Sequence, residues 1–237
     1  MSWLTPRRYA TELDAEAALL AAAVARQAPE AEVPSCPGWT VRDLVTHVGT
    51  GHRLASGFIE QRRTTPLPYE LIPAPDDPAE WTAWLTGGAR RLNDAVEAHG
   101  FGGAVWTWQP KHQTAGFWLR RMLHDLIVHR FDADPSGDLA PDLAADGVDD
   151  LMLVFVTVMK LTGDGESLQF AATDTAGRWH VTLTPGGLRW EEAEKEADVT
   201  CAGPVRDVLL ALNRRRGFAA VDGDVALYER FREGTRF

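Results

Sequence analysis

Apolar residues recur every three to four positions along the first two thirds of the chain and every second position along most of the remainder. Leu13, Ala17, Leu20 and Val24 place a helix over residues 7–28, closed by Ala28-Pro29. Thr40 is a favourable N-cap for a second helix, with Asp43 standing where a capping box usually has Glu; this helix extends to about residue 63. Prolines 66, 68, 73, 75 and 78 then interrupt, because proline lacks the backbone donor a helix needs. A third helix fits 78–98 with Trp81, Leu85 and Leu92 inward, a fourth runs from about 116 to 133, and a fifth from about 144 to 160. Beyond residue 165 the period changes to two. Strands are expected at 168–173, 179–184, 188–191 and 198–201, separated by turns at 174–177 and 185–187. Pro204 opens a helix through Leu212, and residues 224–232 form a last one. The reading is therefore α+β: a helical part over 1–164, whose amphipathic helices form a bundle, and an α+β part over 165–237.

Three residues of metal-ligand type stand out against this pattern. Asp125 and His129 are one turn apart on the fourth helix and project from the same face. His47 comes from the second helix. Two imidazoles and one carboxylate on two helices hold a divalent metal and leave one position open, which is the arrangement of a catalytic site. By itself the i,i+4 spacing more often marks a hydrogen-bonded surface pair.

Composition narrows the setting. At 237 residues, with 45% hydrophobic and 24% charged residues, the chain has the make-up of a soluble globular protein. A net charge of −10 argues against a nucleic-acid partner. No run approaches the ~20 apolar residues of a membrane span, and the opening segment leads into a polar helix rather than a signal-peptide core. Two cysteines, Cys36 and Cys201, make no disulfide framework, so a reducing cytoplasm is expected. Oligomeric state is not legible.

The words around the candidate ligands are more specific than their spacing. Val33-Pro-Ser-Cys-Pro-Gly-Trp-Thr-Val-Arg-Asp-Leu-Val-Thr-His47 and Arg121-Met-Leu-His-Asp-Leu-Ile-Val-His-Arg-Phe-Asp132 resemble the mycothiol-dependent maleylpyruvate isomerase family, within the wider DinB-like metalloenzymes. The segments Asp198-Val-Thr-Cys-Ala-Gly-Pro204, Asn213-Arg-Arg215 and Val221-Asp-Gly-Asp224 extend the resemblance more loosely to the C-terminal end. It implies a DinB-like four-helix bundle followed by a small sterol-carrier-like α+β domain. It also implies a divalent metal, zinc by expectation, held by His47, Asp125 and His129, with mycothiol as thiol cosubstrate. Zinc deprotonates a thiol that coordinates it, and the thiolate is the nucleophile. The implied function is a metal-dependent thiol transferase or isomerase acting on a small electrophile; the alternative is a non-catalytic small-molecule binding protein with a degraded metal site. Only three of the 24 basic residues are Lys, a bias that suits a GC-rich actinobacterial gene. Where the family usually has Glu, this chain has Asp125, shorter by one methylene.

Other residues carry competing readings. His52 lies about 140° round the helix from His47 and is expected outside the ligand set, as a partly exposed structural residue or at the pocket mouth. His124 faces away from Asp125 and is expected to pack against a neighbouring helix. Cys36 reads as a small apolar residue in a turn, and Trp39 as a staple-like contact. Asp132 either hydrogen-bonds a ligand histidine or pairs with a nearby Arg. The cluster Arg214-Arg215-Arg216 fits a solvated helix end. In the family an Arg from this region reaches the active site, and matching Asn213-Arg214-Arg215 selects Arg214 to bind substrate carboxylate. The family often has Pro where this chain has Arg216.

Overall fold

Threonine caps open three of the first four helices. In a computed structural model, which describes residues 3–236, the Thr5 hydroxyl accepts from the Arg8 amide at the head of α1 (Pro6–Val24). Thr40 and Asp43 form the expected reciprocal capping box at α2 (Val41–Glu60), with the Thr40 amide 2.8 Å from the Asp43 carboxylate. Thr114 caps α4 (Ala115–Ala133). Between them, α3 (Trp81–His99) follows a short 3-10 turn at Pro78–Glu80. Each such cap satisfies backbone donors that the first turn leaves unpaired. The ends are tighter than the periodicity suggests. α1 stops at Val24 in loose turns, and α2 stops before Arg62, whose φ of 48° is left-handed.

These four helices make one compact unit, Leu4–Gly137. α1 packs on α3 and α4, and α2 packs on the same pair. Tyr9, Leu13, Leu20, Leu44, Leu85, Leu92, Phe117 and Leu123 are fully buried between them. Burial of each large apolar side chain is worth about 1.5–3 kcal/mol, and this drives the bundle more than helix propensity does. At one crossing α2 and α3 come very close: a Cβ on Gly49 would overlap the indole of Trp84.

The second unit begins at Asp138. Its first element is α5 (Pro141–Val158), followed by β1 (Ser167–Ala172), β2 (Arg178–Thr184), β3 (Gly187–Glu191), β4 (Val199–Gly203), α6 (Val205–Leu212), β5 (Ala220–Gly223) and α7 (Val225–Gly234). The strands form one sheet in the order β3-β2-β1-β4-β5, parallel only between β1 and β4. Phe155 of α5 meets Phe231 of α7, and the Trp179 indole donates to Asp149 of α5 at 2.6 Å. The unit boundary at 137/138 therefore lies earlier than the change of period near 165. Periodicity marks α5 as a helix but does not say which layer it covers. β5 was not expected; it is short and mostly exposed, so it carries no alternation of its own.

Candidate metal centre

The bundle brings His47 of α2 together with Asp125 and His129 of α4. His47 Nε2 lies 3.3 Å from Asp125 Oδ2, and His129 Nε2 lies 3.9 Å from the same oxygen. The imidazoles meet edge to face with centroids 4.7 Å apart. A tetrahedral ion with bonds of about 2.1 Å needs ligand atoms about 3.4 Å apart. These separations suit such an ion, and the shorter Asp125 side chain reaches the two nitrogens.

The outer nitrogen of His129 is fixed. Its Nδ1 is 2.8 Å from Asp132 Oδ2, three residues further along α4. An N–H donated there leaves the Nε2 lone pair facing Asp125 and His47, the tautomer a metal ligand requires. The Asp132 side chain is fully buried and accepts two further bonds, from Ser35 Oγ at 2.5 Å and Cys36 Sγ at 3.2 Å. Asp132 thus takes the hydrogen-bonding alternative toward His129. Ser35 and Cys36 support it, a role their sequence position alone does not reveal. Cys36, His129 and Asp132 also form a donor cluster close enough to hold an ion, but it shares His129 with the first, and Asp132 already accepts hydrogen bonds from His129, Ser35 and Cys36.

Trp39 does more than staple the chain entry. Its indole stacks on His129 at 5.6 Å and leans on His47 at 5.0 Å, walling one side of both rings. His47 and Asp125 remain about a third open, with 33% and 28% of their side chains exposed, whereas His129 is nearly closed. The open side faces a cleft.

The centre keeps a carboxylate charge. Burial would push the Asp125 carboxyl up, but the hydrogen bond and charge of His47, with His129 and Arg121, hold it well below the usual carboxylate range. Burial disfavours protonated His47, yet the hydrogen bond and charge of Asp125 prevail and raise it. Arg121 reaches Asp125 Oδ1 at 3.4 Å.

His52 stays outside the ligand set, as its helical angle requires, but it is not partly exposed. It is 1% exposed, and neither ring nitrogen has a hydrogen-bond partner. His124 is likewise buried and belongs to neither cluster. Arg214 lies in the other unit, at the end of α6. Its φ is 67°, and its guanidinium bonds the Arg232 carbonyl and the Glu233 carboxylate at the end of α7. Arg216 pairs with Asp207 and Arg215 with the Asn213 carbonyl.

Residues 10–134, which hold all three candidate ligands, match the family model for the mycothiol maleylpyruvate isomerase N-terminal domain. The chain belongs to that family. Among solved structures it is similar to the mycothiol-dependent maleylpyruvate isomerase and to a single-residue variant of that enzyme. Each match has a TM-score of 0.65 at 16% identity, covering 94% of this chain and 95% of the other. At that identity the likeness establishes the fold of each unit: a helical bundle followed by a small α+β domain. A comparison with curated proteins gave no match. No helix among the described residues is long and apolar enough to cross a membrane.

Proposed function

We propose that this chain is a metal-dependent enzyme that activates mycothiol as a thiolate, either to transfer that thiol to a small electrophile or to isomerise that electrophile. The observation that carries the reading is the convergence of His47, Asp125 and His129 with the Nε2 lone pair of His129 directed inward by Asp132. The three side chains would hold a divalent ion, zinc on the family resemblance, and leave room for a further ligand. Bound there, zinc would keep the thiol of mycothiol as thiolate at neutral pH. Trp39 excludes water from the faces of both imidazoles, and Asp132 keeps the proton of His129 on Nδ1. Whether thiol addition ends in transfer or is followed by elimination depends on the electrophile. A reducing cytoplasm, where a free thiol persists, is part of this proposal.

The resemblance also assigns Arg214 to bind substrate carboxylate, and this is proposed separately. Loss of kcat/KM in Arg214→Ala with metal retained supports it; unchanged turnover with a lowered melting temperature leaves Arg214 as a brace for α7.

The test is turnover by the metal-loaded chain. Consumption of mycothiol, but not glutathione, in the presence of an alkylating electrophile, abolished by chelation and by His129→Ala, supports the proposal. Rates equal to the chelated control contradict it and favour the binding-protein reading.

A further inference from the structure

The cleft beside His47 and Asp125 encloses about 270 Å³, all within the bundle unit. That is near the lower limit of about 300 Å³ typical of small-molecule sites. Apart from the Tyr69 phenol and the His47–Asp125 end, its walls are hydrocarbon and aromatic. Phe58 stacks on Trp118 at 5.1 Å and 7°, and packs on Trp106 at the same distance. The Trp118 indole N–H is already committed to the Trp106 carbonyl at 2.8 Å, so the pair offers π surface and little hydrogen bonding. Phe58 and Trp118 are 5% and 7% exposed, which makes the wall preformed. Leu67 closes the cleft from the proline-rich connection between α2 and α3.

No Arg or Lys is among the residues lining this cleft; its charge lies at the end formed by His47 and Asp125. Arg121, a neighbouring cation, is bonded to Asp125. A dicarboxylate entering here would lose water against carbon walls, with no guanidinium in the lining to replace it. A flat uncharged ring would gain burial and stacking on the indoles.

We infer that the cleft binds the body of the electrophile, and that this body is an uncharged, flat, apolar group of one or two rings. The chemical consequence rests on the metal-centre reading: such a group would present its reactive carbon at the His47–Asp125 end. Maleylpyruvate, named for the enzyme of similar fold, is a dianion and fits these walls poorly.

Binding tests the inference without metal or thiol. The full chain is titrated calorimetrically with 2-naphthol and, separately, with maleate as the dianionic comparator. The expected result is a saturable isotherm for 2-naphthol and none for maleate over the same range. Gly51→Leu should weaken 2-naphthol binding roughly tenfold or more by filling the cleft. A Cβ there meets only the flexible Met122 sulfur, at 3.1 Å, so the variant is expected to fold. Trp106→Ala provides the second variant. Binding of maleate but not 2-naphthol, or 2-naphthol affinity unchanged in both variants, overturns the inference. Naphthol binding by a chain that retains no zinc after loading would leave this inference standing and remove the metal reading; zinc retention with a preference for maleate would do the reverse.

Discussion

His129 Nδ1 lies 2.8 Å from Asp132 Oδ2 on the same face of α4, and this contact aims the other nitrogen of the ring at the candidate ion. Asp132 is expected to set ligand orientation without touching the metal. Asp132→Ala should lower zinc affinity about 10- to 100-fold, read by competition with a chromophoric chelator. An affinity equal to wild type would show that Asp132 serves only Ser35 and Cys36.

His52 makes acid stability legible. Burial pushes its pKa down to about 4, from the usual 6.5. As pH falls from 6.5 toward 4, the unfolded chain takes a proton that folded His52 refuses, so stability drops through that window. Above pH 6.5 the contribution is complete; below 4 it is gone, with a total of about 3 kcal/mol. Denaturant unfolding of wild type and His52→Leu at stepped pH should differ in slope across this range. Parallel curves would contradict the assignment.

Close approach of α2 and α3 leaves no room at Gly49. Gly49→Val should force the Trp84 indole aside and destabilise the bundle by about 1–3 kcal/mol, measured by chemical denaturation. A neutral substitution would mean that Trp84 moves at little cost.

Neither cysteine should react as an exposed surface thiol does. Cys201 is wholly buried in β4, and burial pushes its thiol up to about 12. Cys36 is 8% exposed, with its sulfur 3.2 Å from Asp132. Neutral iodoacetamide should therefore leave Cys201 unlabelled in the native protein and label it after denaturation, read by intact-mass spectrometry.

Much of this was legible in the chain. The Thr40 capping box, the helical spacing on α2 and α4, and the one-turn step from Asp125 to His129 follow from local rules, and the structure brings the three candidate ligands together as those rules imply. What was hidden depends on packing between distant segments. Trp39 precedes α2 by two residues, and nothing local says that its ring meets an imidazole from α4. Ser35 and Cys36 look like turn residues until Asp132 arrives from nearly a hundred positions away. The angle of His52 was predictable, but its burial was not, because the cover comes from α3: a Cβ on Gly88 would sit 3.4 Å from His52. α5 shows the same limit at the level of a whole helix, since periodicity defines its apolar face but not the sheet it covers.

The most direct test is the metal content of the purified full chain after loading with zinc and removal of excess by gel filtration. One equivalent per chain, lost in His47→Ala, Asp125→Ala and His129→Ala while each variant keeps its helical circular dichroism, is the result expected. Folded wild-type protein that retains no zinc, or variants that retain it as well as wild type, would contradict the metal centre on which the functional reading stands.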